Sequence, residues 1–185
     1  MIRRYAVVLA PLGALVVAGA APVVDTNALF AALKQAPTQM QAEAIEQKLL
    51  AAWHDQATPA VQILMEQAAV LAAHPKPKEG NTEALADADA AIALQPEVAD
   101  LWRRRAELRF GAGDEDGAIA DLAQAVSREP RLIPAWADLS RFSELRKDNK
   151  RALEAWQKVL ELDPQTDHAA QRLDALQRKA NGQPI

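Results

Sequence analysis

The sequence predicts an all-α protein in which helical hairpins stack into a solenoid, and three observations support this fold class. Pro96, Pro130 and Pro164 follow one another at equal intervals of 34 residues, which is the length of one type of helix-turn-helix repeat. Trp102 and Trp136 are separated by the same interval. Half of the residues are hydrophobic, and no run alternates apolar and polar residues as a half-buried strand does. We therefore expect helical repeats and almost no sheet.

The first 20 residues have the three parts of a secretory signal peptide. Arg3 and Arg4 precede an apolar stretch, which ends in the small residues Ala18-Gly19-Ala20. We expect cleavage after Ala20 and a flexible lead-in over residues 21–26. The mature chain would then be periplasmic and would make no membrane contact.

The alternative is that residues 5–21 are retained as an inner-membrane anchor. Pro11 and Gly13 interrupt this apolar stretch, and it is short for a hydrocarbon core of about 30 Å. Cleavage is therefore the favoured interpretation.

Residues 27–60 are predicted to form an N-terminal helical hairpin, because two groups of apolar residues recur at helical spacing. The first group is Leu29, Phe30 and Leu33, and the second is Ala44, Ile45, Leu49 and Trp53. Pro37-Thr38 would start the second helix. The hairpin lacks the landmarks of the repeats, so we expect it to cap the outer face of the first repeat, as terminal units of a solenoid do.

The first repeat, residues 61–98, is predicted to contain a long turn. Leu64 and Ala84 are 20 residues apart, whereas the corresponding Trp102 and Ala118 are 16 apart. The four extra residues fall in 74–81, a stretch with two prolines and a glycine that cannot be helical throughout. We expect the second helix of this repeat to run from Glu83 to Leu94.

The second and third repeats, residues 99–132 and 133–166, share further landmarks. The pairs Ala118 and Ala152, Ala125 and Val159, and Asp114 and Asp148 are each 34 residues apart. Small residues suit the crossing of two helices, where the backbones approach to about 8–10 Å. An aspartate after the turn can cap the next helix. We predict a single capping helix over residues 167–180 and a short tail over 181–185.

These landmarks resemble the tetratricopeptide repeat family at most of its signature positions. The mature chain as a whole is also similar to small exported tetratricopeptide proteins of alphaproteobacteria. The resemblance implies a right-handed α-solenoid whose concave groove, lined by the first helix of each repeat, binds an extended peptide or a partner helix.

The groove positions that the resemblance implies can be carried over residue by residue. They are Gln62, Met65 and Ala69 in repeat one, Arg103, Glu107 and Phe110 in repeat two, Ala137, Arg141 and Glu144 in repeat three, and Gln171 on the last helix. Arg103 and Arg141 would pair with acidic side chains or a carboxylate terminus. Equally, residues 103–105 would form only a solvated helix face with ion pairs to Glu107 or Asp100. Glu107 occupies a position where the chaperone-tail clamp of the family needs another residue, so that ligand is not expected.

Composition argues against nucleic acid as a partner. The formal net charge is −4, and loss of Arg3 and Arg4 with the signal peptide would make it −6. Neutralisation of phosphates by basic side chains supplies most of the affinity for nucleic acids. An acidic domain is therefore poorly suited to that ligand.

The motifs that mark common catalytic sites are missing. The chain has no cysteine, no phosphate-binding glycine loop and no nucleophile elbow. His54, His74 and His168 are far apart in sequence, and none has a metal-ligating partner one helical turn away. We expect no enzyme activity, no metal, no cofactor and no small-molecule substrate.

The sequence therefore predicts a non-catalytic periplasmic adaptor that binds a segment of another protein in its concave groove. The alternative is a structural subunit of a cell-envelope assembly that docks through its convex or terminal surfaces. The sequence does not identify the partner.

Overall fold

The computed structural model describes residues 24–73 and 79–183, and all regular structure within these ranges is α-helical. The helices are α1 (Thr26–Lys34), α2 (Gln39–His54), α3 (Pro59–Ala73), α4 (Glu79–Leu94), α5 (Ala99–Gly111), α6 (Glu115–Arg128), α7 (Ile133–Leu145), α8 (Asn149–Leu162) and α9 (Ala169–Ala180). The predicted all-α solenoid is confirmed. The expected signal peptide, the alternative anchor and the last two residues of the tail lie outside the described residues.

The turn between the two helices is built alike in repeats two and three. Asp114 caps α6 by accepting a hydrogen bond from the backbone N–H of Gly117 at 2.9 Å. Asp148 caps α8 in the same way, with the N–H of Arg151 at 3.2 Å. Gly113 immediately precedes the first cap and has a φ of 87°. These caps satisfy N–H groups that the first turn of a helix leaves unpaired.

The repeating prolines and tryptophans are joined by a hydrogen bond. The indole N–H of Trp102 donates to the carbonyl of Pro96 at 2.8 Å, and that of Trp136 donates to the carbonyl of Pro130 at 2.9 Å. Both rings are half-buried. Each tryptophan therefore fixes the turn that leads into its own helix as well as packing between hairpins.

Repeats two and three share one core. The small residues Ala106, Ala118, Ala125 and Ala152 are fully buried, so α5 packs closely on α6 and α7 on α8. The same cluster includes Phe142, whose side chain is 1% exposed. The alanines therefore lie in buried positions, as the sequence analysis expects of helix crossings.

The first repeat has a separate apolar cluster. It contains Val61, Met65, Ala88, Ala91, Ile92, Val98 and Leu101, with Trp102 packed against it. Helix α4 begins at Glu79, within the range predicted as a turn, so the helix is longer than expected at its start. Residues 74–78 of the predicted turn lie outside the described residues.

The N-terminal hairpin does not lie where the sequence analysis places it. Phe30, Leu49 and Trp53 belong to the cluster of repeats two and three, together with Ile133 and Trp156. The prediction that the hairpin caps the first repeat is therefore wrong. Helical periodicity shows which side of a helix is buried, but it does not show which surface buries it.

Two polar contacts fix the start of this hairpin against the loop between repeats two and three. The guanidinium of Arg131 donates to the side-chain oxygen of Asn27 at 2.7 Å. It also lies 4.7 Å from the centre of the Phe30 ring, a favourable cation–π geometry. Both contacts join α1 to a residue more than 100 positions away in sequence.

Helix α9 packs on α8 at the other end of the array. Leu176 is fully buried there, while Gln171, Asp174, Gln177 and Arg178 are exposed. The helix begins at Ala169, two residues after the predicted start. Its polar outer side closes this end of the solenoid.

Within the described ranges, every helix is too short or too polar to cross a membrane.

Candidate functional site

The first helices of the repeats lie side by side, and ion pairs join α5 to α7 and α7 to α9. Arg103 on α5 contacts Asp138 on α7 at 3.3 Å. Glu144 on α7 contacts Arg172 at 3.2 Å and Lys179 at 2.6 Å, both on α9. We call the surface formed by these residues, with Arg104, Glu107 and Arg141, the inner face.

Arg103 is held by carboxylates on three sides. Its side chain is only 16% exposed and contacts Asp100 at 2.7 Å and Glu107 at 3.2 Å, in addition to Asp138. Burial alone would lower the pKa of Arg103, but these carboxylates, Asp100 foremost, raise it above its ordinary value. Arg103 is therefore already neutralised by residues of its own chain.

Arg141 is far more accessible. Its side chain is 51% exposed, and among the described residues its ion pair is with Asp138 at 2.9 Å. The guanidinium also lies 4.4 Å from the centre of the Phe142 ring, which holds it in place. Arg141 is the better placed of the two predicted arginines to bind an anionic group.

The three consecutive arginines 103–105 have different surroundings. Arg104 is half-buried on the inner face, where desolvation lowers its pKa despite the nearby carboxylates of Asp100, Glu107 and Glu66. Arg105 points away from this surface and contacts Asp89 and Asp121, each at 2.6 Å. For Arg103, the ion pairs with Asp100 and Glu107 are those expected if residues 103–105 form only a helix face with internal ion pairs.

Glu107 is a second accessible charge on the inner face. Its side chain is 44% exposed. Desolvation raises its pKa, and the attraction of Arg103 opposes this shift only in part. The carboxylate of Glu107 is therefore protonated more readily than that of an ordinary glutamate.

Other residues predicted for the groove serve the fold or pair within the chain. Met65 is 1% exposed in the core of repeat one, so the prediction that it lines the groove is wrong. Phe110 is half-buried and stacks on Phe142 with ring centres 3.9 Å apart. The side-chain amide of Gln62 donates to the backbone carbonyl of His54 at 3.1 Å.

The remaining predicted residues differ in exposure. Ala69 and Gln171 are exposed, and Glu144 is paired with two cations of α9 as described above. Arg172 and Lys179 are absent from the predicted set. If α9 is treated as the first helix of a fourth repeat, and not only as a cap, one of its sides is expected to face the groove. Arg172 and Lys179 would then be candidates for that side.

Ala137 lines a cavity of about 210 Å³ between the N-terminal hairpin and repeat three. The cavity is mostly apolar and is lined by Glu46, Leu49, Leu50, Trp53, Ile133, Pro134, Ala137, Trp156, Val159 and Thr166. The hairpin therefore covers the start of α7, and a ligand on the inner face would lie beyond it.

A pair of carboxyl groups lies at this same boundary. Asp163 is 1% exposed. Among the described residues, no N–H or hydroxyl group donates a hydrogen bond to its buried Oδ2 atom. Burial, followed by a hydrogen bond and the charge of Asp163, raises the pKa of Glu46 to about 8. A protonated Glu46 would supply the donor that Asp163 needs, so the pair can bind the hairpin to the repeats at neutral pH.

No group of three or more histidine, aspartate or glutamate side chains is placed to hold a metal ion within the described ranges. His54 and His168 are on different parts of the array, and His74 lies outside the described residues.

A relative covers most of the chain. It is a TPR repeat-containing protein of Rhizobium etli, 27% identical over 165 residues, which span 89% of this chain and 79% of that protein. Its source agrees with the expected resemblance to alphaproteobacterial proteins. No family model matches the sequence.

Solved structures with the same fold include several TPR domains. The Sgt2 TPR domain from Aspergillus fumigatus has a TM-score of 0.59 at 21% identity, covering 70% of this chain and 87% of that one. The first TPR of Spaghetti (RPAP3), bound to the HSP90 peptide SRMEEVD, has a TM-score of 0.58 at 18% identity and covers 66% and 96%. MamA has a TM-score of 0.56 at 17% identity and covers 85% and 82%. At these identities the similarity shows the fold alone.

Proposed function

We propose that this chain, which has the fold of tetratricopeptide-repeat domains, is a non-catalytic scaffold that binds an acidic segment of another protein on its inner face. The observation that carries this proposal is the half-exposed Arg141, held against Phe142 and paired with one carboxylate. Arg104 and Arg141 flank Glu107 on the same surface. An extended segment lying across α5 and α7 would meet both cations.

A ligand carboxylate can bind Arg141 without leaving Asp138 unpaired. Asp138 contacts both Arg141 and Arg103, so it keeps Arg103 as a partner when Arg141 turns to the ligand. Leaving a buried carboxylate without a partner costs about 1–3 kcal/mol or more. Because Asp138 is shared with Arg103, this cost is avoided. Arg141 is therefore the residue that we expect to exchange its partner for a ligand carboxylate.

Related folds bind acidic peptides. The first TPR of Spaghetti (RPAP3) is bound to the HSP90 peptide SRMEEVD, and the second TPR domain of human RPAP3 to the HSP70 peptide SGPTIEEVD. The inner face of this chain carries Glu107 and Glu144 among its cations, so we expect a different acidic sequence as the partner.

The proposal is tested by affinity capture from a periplasmic extract with three forms of the protein. Arg141→Gln removes the exposed cation of the inner face. Arg151→Gln is a matched control, because Arg151 is 50% exposed and also contacts one aspartate, Asp148. We expect the partner to be lost with Arg141→Gln and retained with Arg151→Gln and the unmodified protein. A partner retained by all three forms would place binding on another surface.

We also propose that the mature protein is periplasmic. Arg3 and Arg4, the apolar stretch and Ala18-Gly19-Ala20 support this location. Intact-mass measurement of the protein from the periplasmic fraction should show loss of the first 20 residues. A full-length chain in the membrane fraction would favour the retained anchor.

A further inference from the structure

The outer face of α3 exposes apolar residues at positions that later repeats bury. Ile63 and Val70 have exposed fractions of 53% and 62%. Both lie 38 residues before their equivalents in α5, and those lie 34 residues before their equivalents in α7. The equivalents of Ile63 are Leu101, which is 2% exposed, and Ala135, which is 0% exposed. The equivalents of Val70 are Leu108, which is half-buried, and Phe142, which is 1% exposed.

Helix α4 covers these positions in the second repeat. Leu101 lies in one cluster with Ala88, Ala91 and Ile92 of α4, and Leu108 packs against that cluster. In repeat two, this surface therefore receives a helix that presents alanine and isoleucine. The N-terminal hairpin packs on repeats two and three instead, so it leaves Ile63 and Val70 exposed.

The charges around this face differ from those of its equivalent in repeat two. On α4, Asp89 contacts Arg105 of α5 at 2.6 Å. The equivalents of Arg104 and Arg105 on α3 are Glu66 and Gln67. A shallow depression of about 530 Å³ on this face is lined by Ile63, Glu66, Gln67, Val70, Leu71 and Asp87, of which Glu66 and Asp87 are acidic. An acidic residue in the position of Asp89 would face Gln67 and gain no ion pair on this surface. Basic residues at the edges of a docked helix would instead meet Glu66 and Asp87.

We propose that the outer face of α3 is a docking site for an amphipathic helix of a partner protein, with small or branched apolar residues at its centre and lysine or arginine at its edges. A two-fold contact with a second copy would bring the acidic rims together. A head-to-tail contact would place the polar outer side of α9 on the apolar residues. Glu66 at its rim lies near Arg104, but Ile63 and Val70 are outside the inner face, so each proposal can fail without the other.

The proposal is tested with two fluorescent helical peptides that share one apolar face. The first has the sequence of residues 83–94, stapled through positions 86 and 90, which are exposed in α4. The second carries Glu83→Lys, Asp87→Lys and Asp89→Lys in the same peptide. We expect fluorescence anisotropy at low salt to show the basic peptide binding the protein at least tenfold more tightly. The difference should shrink at high salt, because exposed charges are screened.

Four variants of the protein locate the binding. Ile63→Ala with Val70→Ala should weaken binding of the basic peptide at least tenfold, while the fold is kept because both residues are exposed and alanine favours helix. Leu145→Ala is the matched control, since Leu145 is 61% exposed on α7, and should leave binding unchanged. Glu66→Gln should reduce the preference for the basic peptide. Arg141→Gln should have no effect.

Equal binding to the double alanine variant and the unmodified protein would overturn the proposal, as would equal affinity for the two peptides or no binding of either. Sedimentation equilibrium gives a further check. A dimer that disappears in the double alanine variant would make a second copy the occupant and would also overturn it.

Discussion

Lys147 occupies a backbone conformation that suits glycine. Its φ is 62°, and the residue 34 positions earlier is Gly113, with a φ of 87°. Both residues lie two positions after the first helix of a repeat and one position before the capping aspartate. A residue with a side chain pays roughly 1–2 kcal/mol in this left-handed region, whereas glycine does not.

We expect Lys147→Gly to stabilise the protein. The gain should be below about 1 kcal/mol, because glycine also gives the unfolded chain more freedom. Gly113→Ala should lower the free energy of unfolding by a similar amount. Backbone strain alone would cause this loss, because a Cβ added at Gly113 would meet no atom within 4 Å. Urea unfolding of both variants measures the two changes. Shifts in the same direction would contradict this explanation.

Arg103 and Arg141 should differ in their contribution to stability. Arg103→Ala would leave Asp100 and Asp138, whose side chains are 14% and 13% exposed, without their shared cation. We expect a loss of about 2–3 kcal/mol, as for a hydrogen-bonded charge. Arg141→Ala should cost less than about 1 kcal/mol, as for exposed ion pairs. Urea unfolding would contradict this assignment if the two variants were equally destabilised.

The sequence was sufficient to predict that both arginines lie on helix-lined walls, but not that their environments differ. The difference depends on Asp138, which is 35 residues from Arg103 in sequence. Periodicity aligns equivalent positions in successive repeats, but it does not show which carboxylate reaches across between them. Periodicity also failed to predict the burial of Met65. This residue occupies the position in repeat one that corresponds to Arg103, but it is 1% exposed.

At the scale of helices, the N-terminal hairpin places Glu46 of α2 near Asp163 at the end of α8, where the two carboxyl groups can share a proton. The pKa of Glu46 is raised from 4.5 to about 8, chiefly by burial and then by Asp163, with a further contribution from the charge of Glu43. The folded chain therefore keeps a proton that the unfolded chain releases above pH 4.5. Glu46 contributes its full stabilisation below that pH, and this contribution is lost as the pH rises through about 8.

Replacing Glu46 by glutamine tests this dependence. Glutamine still offers a hydrogen-bond donor to Asp163 but does not titrate. We expect the free energy of unfolding of the unmodified protein to fall more steeply between pH 5 and pH 9 than that of Glu46→Gln. Parallel curves from urea unfolding at several pH values would show that the pair does not share a proton.

The hairpin also shows how far the elements themselves can be predicted. Thr38 caps α2 as expected, accepting a hydrogen bond from the N–H of Gln41 at 3.4 Å. Leu49 and Trp53 are buried, in agreement with their helical spacing. Their partners, Ile133 and Trp156, are about 80 to 100 residues away in sequence, and no local signal marks such a contact.

At the scale of the molecule, the described chain divides into two apolar clusters that do not follow the order of the sequence. The hairpin joins repeats two and three, while repeat one, which lies between them in sequence, has its own cluster. Trp102 packs against both clusters. Neighbouring repeats stabilise one another through their interfaces, so the hairpin should stabilise repeats two and three most.

Hydrogen exchange of Trp53→Ala and Met65→Ala tests this division. Trp53 and Met65 are 3% and 1% exposed, and each lies in a different cluster. Large-to-small changes at such sites cost about 2–5 kcal/mol. We expect Trp53→Ala to speed amide exchange in α1, α2, α7 and α8, and Met65→Ala to speed it mainly in α3 and α4, because sub-global opening follows local packing. If both variants speed exchange equally throughout, the solenoid unfolds as one unit and the contact at Trp102 couples the clusters more strongly than their separation implies.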